Sequence, residues 1–133
     1  MSRYRAIVWN ESITLYHRSE SKGKDGKTVT TWTKTSLSNC FYGRKLRQQL
    51  SADMEIVSNN LHVARIPVTS ISSGFAIGKG DIIVKGGAVS DTLASNDSGK
   101  ALLDKYFGSC FMVNVVTDNT KLQHSAHWYA SED

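Results

Sequence analysis

The chain has 133 residues, 40% hydrophobic and 21% charged, with a formal net charge of +4. A chain of that length buries about two thirds of the surface it exposes when unfolded, which suffices for one unstapled core, and its composition is not that of a disordered polymer. No apolar run approaches the roughly 18 residues of a membrane span, the opening MSRYRAIVWN lacks the apolar stretch of a secretion signal, and two cysteines make no disulfide framework; these features set aside a secreted mini-protein, a membrane protein, a coiled coil and a multidomain enzyme.

The dominant period along the chain is two. Ile13, Leu15 and His17 alternate with Thr14 and Tyr16, and Val29, Thr31 and Thr33 alternate with Thr30, Trp32 and Lys34. β-Branched and aromatic residues in this pattern predict strands. The KGKDGK segment between them holds Gly23, Asp25 and Gly26, which tolerate the positive φ of a tight turn. Residues 12–35 therefore read as a β-hairpin with a basic tip at Lys22, Lys24 and Lys27. A short apolar and aromatic run, Leu37–Tyr42, follows.

Residues 43–60, GRKLRQQLSADMEIVSNN, interrupt the strand series. Leu46, Leu50 and Met54 have helical spacing, while Ser58, Asn59 and Asn60 suit a turn. A connection this long inside a small domain is functional or disordered more often than incidental. It reads as an excursion, a partial helix or ribbon, that orders against a partner.

Strand signals resume at Leu61–Val68, where Pro67 makes the strand an edge or ends it. They continue at 80–85 (GDIIVK) and 111–116 (FMVNVV), then after a turn at 117–120 (TDNT) in the closing run 124–130. One α-helix is expected at about 97–107: Asn96 or Asp97 caps it, Ala101, Leu102, Leu103, Tyr106 and Phe107 recur at helical spacing, and Gly108 ends it. The expected fold is mainly β: one domain over 1–133, a small antiparallel β-barrel or sandwich with one short helix and a long inserted loop at about 43–60.

Little in the sequence predicts catalysis or cofactor binding. The glycines at 74–80 (GFAIGKG) have the wrong spacing for a phosphate loop and lead into a strand, where a phosphate loop leads into a helix. His124 and His127 are three apart, so on a strand they point to opposite faces and do not share a metal. Cys40 and Cys110 have no neighbouring cysteine and read as buried structural residues. Ser, His and Asp are all present, yet no nucleophile elbow is, and Ser72, Ser73 and Gly74 read as a turn. Asp53 and Glu55 are spaced for one strand face and read as solvated charges. Trp32 beside Lys34 fits a single-strand-binding surface, but Trp9, Trp32, Trp128 and Tyr129 are spread out, and core packing is their commoner use. The expectation is a non-enzyme with no metal and no cofactor.

Charge is the stronger signal. Residues 1–50 carry ten Lys/Arg and three Asp/Glu, a balance of +7, whereas residues 51–133 carry six and nine, a balance of −3. Such a split suits a basic face meeting an anion, or two faces that attract in neighbouring subunits; chance clustering on a solvated surface is the plain alternative. Arg44, Lys45 and Arg47, followed by Gln48, lie inside the excursion. They suit phosphate backbones without base specificity or an acidic neighbouring subunit.

In order, these elements resemble the small neck proteins of tailed bacteriophages and prophages of Gram-positive hosts, the head-tail connector or head-closure (stopper) proteins. The likeness runs through Ile13–Arg18 (ITLYHR), the Lys/Gly/Asp tip with Trp32, and Asn39, Cys40, Phe41 and Tyr42. It continues past the long interruption through Ile66-Pro67, residues 80–86, and His127-Trp128. The resemblance implies a virion structural protein, assembled in the bacterial host cytoplasm. It would form a homo-oligomeric ring, usually a dodecamer, beneath the portal or its adaptor, joining head to tail and closing the DNA channel. Its implied partners are the portal adaptor, tail proteins and packaged double-stranded DNA, with no membrane. By position, 43–60 would be the loop that faces the channel, with Arg44, Lys45 and Arg47 towards DNA or a neighbouring loop. The alternatives are a tail completion or terminator protein and a small β-barrel that binds nucleic acid.

Overall fold

The computed structural model describes residues 9–50, 56–123 and 126–132, with backbone alone at 45–50 and 56–60. The described residues are mainly β, with seven strands, one short α-helix and one 3-10 turn. The strands are β1 (Glu11–Lys22), β2 (Thr28–Leu50), β3 (Ile56–Pro67), β4 (Ile82–Lys85), β5 (Cys110–Met112), β6 (Val115–Asn119) and β7 (His127–Ser131), with α1 (Lys100–Lys105) between β4 and β5. All ladders are antiparallel and form one sheet in the order β5-β4-β1-β2-β3-β7-β6.

The hairpin at 12–35 forms as its alternation requires, from Lys22↔Thr28 inwards. Its tip is closed by Gly23 N–H to the Lys27 carbonyl (2.8 Å) and by Lys27 N–H to the Asp25 carboxylate (3.1 Å), with Gly26 at φ 80. Leu37–Tyr42 is not a separate strand but the middle of β2. The first part of β2 pairs with β1 as far as Glu11↔Cys40, and from Phe41↔Arg65 onward its partner is β3. Just before the change of partner, between Ile13↔Leu37 and Glu11↔Cys40, the β1–β2 register shifts, and Asn39 takes φ 56. An extra residue in the left-handed region bends a strand and re-aims it; asparagine tolerates that conformation better than other side chains with a Cβ.

The bend folds the sheet over itself. Ile13, Leu15, Leu37, Ile83 and Phe111 from one half pack with Ala64, Ile66 and Ala130 from the other. At the far end of the strand order, Val113 and Asn114 carry the chain straight from β5 to β6. Val113 N–H bonds the Asp81 carbonyl (2.7 Å), and Asn114 N–H bonds the Ser131 carbonyl (2.8 Å). No ladder joins β5 to β6 among the described residues, so the architecture is a folded, sandwich-like sheet and not a closed barrel.

Residues 82–84 of β4 and 13–16 of β1 are buried on both faces. Ile83 faces the central core, while Tyr16, Ile82 and Val84 face a second cluster closed by Leu102 of α1 and by Trp32, Leu93 and Tyr106. This accounts for the unbroken apolar run at 82–84, since a strand covered on both sides has no solvent face to fill with polar residues. Each large aliphatic side chain fully buried here contributes about 1.5–3 kcal/mol. Tyr16 donates its hydroxyl to the Asp91 carbonyl (2.7 Å). Burial, with Asp91 and Tyr106 adding to it, pushes the Tyr16 phenol up to about 12.

Three local expectations are corrected, and one open choice is decided. The helix spans 100–105, not 97–107, and begins at Gly99 (φ 79). Asn96 and Asp97 do not cap it: the Asn96 amide oxygen accepts from Thr30 N–H, and the Asp97 carboxylate accepts from Gly99 N–H. A Cβ at position 99 would lie 2.4 Å from Ile82 Cδ1, so glycine suits both the φ and the close approach. The 111–116 strand is broken at 113–114 by the crossing from β5 to β6. The predicted turn at 117–120 is mostly strand, because Thr117, Asp118 and Asn119 pair with Tyr129, Trp128 and His127. Of the two forms expected for the excursion at 43–60, a partial helix or a ribbon, its described part takes the ribbon, because β2 and β3 pair along it. Pro67 behaves as expected and ends β3.

Accessible surface totals 8999 Å², above the roughly 7,000 Å² of a compact chain of this length. A ribbon with uncovered edges adds to it.

If the bend depends on the left-handed residue, Asn39→Val lowers stability by about 1–2 kcal/mol, whereas Asn39→Gly stays within a few tenths. Urea unfolding checks this, and equal losses in both variants would contradict it.

Candidate functional site

Beyond the bend, β2 and β3 continue as a two-stranded antiparallel ribbon. Its register runs unbroken from Gly43↔Val63 through Arg44↔His62, Lys45↔Leu61 and Arg47↔Asn59 to Leu50↔Ile56. The β7 ladder covers β3 only from Val63 to Pro67, and the β1 ladder leaves β2 at Cys40. Residues 44–50 and 56–62 therefore have no third strand on either edge among the described residues. Six residues of strand, 45–50, extend about 20 Å. Ladder pairing, which bonds the inward-facing backbone groups of both strands along the segment, overrides the helical spacing of Leu46 and Leu50. Arg44 is exposed. Lys45, Arg47 and Gln48 lie on the described backbone beside it, whereas Asp53 falls outside the described residues.

The ribbon is held at its root. Arg44 reaches the Gly108 carbonyl through Nη2 (3.5 Å), and His62, directly across the ladder, approaches the same carbonyl through Nε2 (3.4 Å). Gly108 has φ 88 and lies in the turn after α1. On the other side of His62, Glu132 accepts the His62 backbone N–H (2.7 Å) and contacts Nδ1 (3.1 Å). The His62 ring stacks on Phe111 at 11° with centroids 6.1 Å apart, and Tyr42 leans on both rings. The Tyr42 hydroxyl is buried without a hydrogen-bond partner, and burial drives its pKa upward. A Cβ at Gly43 would strike the Phe41 ring at 2.6 Å, so the strand passes closely over that side chain. The ribbon thus emerges from a packed, hydrogen-bonded base.

The other basic group lies elsewhere. Lys22, Lys24 and Lys27 are all exposed, but they sit at the β1–β2 turn, at the opposite end of β2 from Arg44. The fold does not gather the two groups into one patch.

The remaining candidates take structural places. Cys40 and Cys110 are free and buried, Cys40 in the central core and Cys110 in the second cluster. Burial pushes the Cys40 thiol up to about 12 and raises that of Cys110, the opposite of what a reactive cysteine needs. Trp32 donates its indole N–H to the Asp97 carbonyl (2.8 Å) and packs on the second cluster. Trp9 meets His127 edge-on at 5.2 Å, and Arg65 lies over the Tyr129 ring at 5.0 Å. His127 is buried beside Arg65 and Asn119, while His124 and Glu55 fall outside the described residues. The glycine-rich 74–80 segment leads into β4, as its spacing suggested.

His62 and Glu132 were not singled out by sequence, and Gly108 was singled out only as the end of the helix. Their signal exists only once the Arg44↔His62 register is known, because they are far apart along the chain.

A model of a family of unknown function (DUF6751) matches residues 7–131. No curated protein and no solved structure gives a match.

If the root holds the ribbon, Glu132→Ala raises amide hydrogen exchange across 45–50 and 56–61 and leaves β1 and β4 protected. Removing the two Glu132 hydrogen bonds takes away about 1–3 kcal/mol of local protection, roughly a 5- to 150-fold change in exchange rate. Unchanged exchange in the ribbon would show that the root does not support it.

Proposed function

The chain belongs to the DUF6751 family of unknown function, and we propose that it is a structural subunit of a bacteriophage neck. In this reading it is a non-enzymatic head-tail connector or head-closure protein of the virion. It assembles as a homo-oligomeric ring, joins head to tail and closes the DNA channel. The observation that supports this most is the basic ribbon at 44–50 and 56–62, carried on a small β core and uncovered on both edges among the described residues.

The physical case rests on what such a ribbon needs. A two-stranded hairpin is marginally stable alone in water, and an uncovered strand edge is a template for pairing with another chain. The +7 and −3 balance of the two chain segments suits head-to-tail contacts between unlike faces, the geometry that closes a ring. Arg44, Lys45 and Arg47, with Gln48, then meet either the phosphates of DNA in the channel or the acidic face of the next subunit. Portal-adaptor and tail proteins are the outer partners in this reading, and a tail completion protein is its nearest variant.

A second reading, a small β protein that binds nucleic acid, is favoured by the exposure of Arg44 and of Lys22, Lys24 and Lys27. The binding would be non-specific, since charge without base readout carries no sequence information.

Deletion of residues 45–58 separates these readings. The ladders below Gly43↔Val63 are untouched, so the shortened chain keeps its cooperative unfolding. Phage carrying it yield particles that leak DNA or fail to join tails. Normal infectious particles, or a chain that no longer folds, would contradict the neck assignment of the ribbon. For the second reading, neutralising Arg44, Lys45 and Arg47 to Gln lowers the slope of log K against log salt by about one for each phosphate that is no longer paired. No salt-dependent DNA binding at low ionic strength would remove it.

A further inference from the structure

A cleft of about 490 Å³ lies beside β1 and β2 and shares no residue with the ribbon. His17, Thr33 and Thr35 form one wall, and the 69–76 segment, with Ser70, Ser72 and Phe75, forms the other. Behind it lies Asp81, which is fully buried. One Asp81 oxygen accepts the Arg18 backbone N–H (2.9 Å); the other accepts the Gly78 N–H (2.8 Å) and faces His17 Nδ1 at 2.9 Å.

This arrangement fixes the histidine. Both Asp81 oxygens accept from backbone amides, and the one that also faces His17 Nδ1 holds that side of the ring against a buried group. Because Nδ1 is turned inward to a buried group while the side chain is 28% exposed, Nε2 is the nitrogen left to the cleft. The second histidine of this kind, His62, has both ring nitrogens near oxygen acceptors; His17 does not.

The lining selects the ligand. It contains no Lys, Arg, Asp or Glu. An anion finds no cation there and lies over the buried Asp81 carboxylate. A metal ion finds no set of three His, Cys, Asp or Glu side chains among the described residues. What remains is a fixed imidazole, several Ser and Thr hydroxyls that donate or accept, and one aromatic ring, Phe75, braced against Trp128 at 6.3 Å. The geometry points to a binding site for a neutral polyhydroxylated ligand, a saccharide, with a ligand hydroxyl hydrogen-bonded to His17 Nε2. The cleft volume falls in the range of small-molecule sites.

The test is a titration of the full chain, labelled with nitrogen-15, against glucose, N-acetylglucosamine and inorganic phosphate. The expected result is a saturable shift of the His17 Nε2 resonance and of the 69–76 amides with at least one sugar and none with phosphate. The site is then weakened about tenfold or more in His17→Phe, the loss of one hydrogen-bonding partner in the cleft, while the amide spectrum of the other strands stays unchanged. Thr35→Val, which alters the wall without touching the Asp81 hydrogen bonds, weakens it as well. No shift with either sugar, a shift with phosphate alone, or sugar binding that survives His17→Phe would each overturn the assignment.

Discussion

The constraint on which the structure depends is the double duty of β2. A single strand of 23 residues pairs with β1 in its first part and with β3 in its second. Those partners belong to opposite halves of a sheet folded on itself, so the strand must turn without losing its ladder. The register shift and the left-handed Asn39 accomplish this at the point where pairing changes hands. Without the turn, Ile13 and Leu15 on one side and Ala64 and Ile66 on the other would not share a core.

The same turn sets the geometry of the ribbon. Because β2 and β3 leave the sheet together, the basic residues from Arg44 onward are strand residues continuous with the core, anchored by Glu132 and the Gly108 turn. Opposite them in the strand order, the Val113–Asn114 crossing ties the two end strands together without a ladder. The sheet is thereby held at two corners while staying open as a barrel. Asp81 strengthens the half containing β1 and β4, where a single carboxylate joins the turn before β4 to two residues of β1. A buried charge is costly unless it is bonded this fully.

Local pattern made much of this legible. Alternation in β1 and β2 placed the first hairpin, the glycines and Asp25 placed its tip, Pro67 marked the end of β3, and Gly108 marked the turn after α1. What the pattern missed depends on pairs distant in sequence. Leu46 and Leu50 have helical spacing, and only a partner strand at 56–61 makes extended backbone the better choice. Asn96 and Asp97 look like helix caps, yet their side chains are occupied by Thr30 and Gly99. TDNT resembles a turn, and β7 makes it a strand. Of the candidate site, Arg44, Lys45 and Arg47 were visible as a charge run. Their support by His62 and Glu132, and the His17–Asp81 pair across the fold, required the register.

The central claim is that the segment after the bend is a β-ribbon growing out of the core. Nuclear Overhauser contacts in the full chain test it most directly. Cross-strand contacts between Hα protons at alternate pairs of the 45–50 and 56–61 register are the predicted result. Sequential helical contacts between residues three apart in 45–50, with no contact to 56–61, would contradict it.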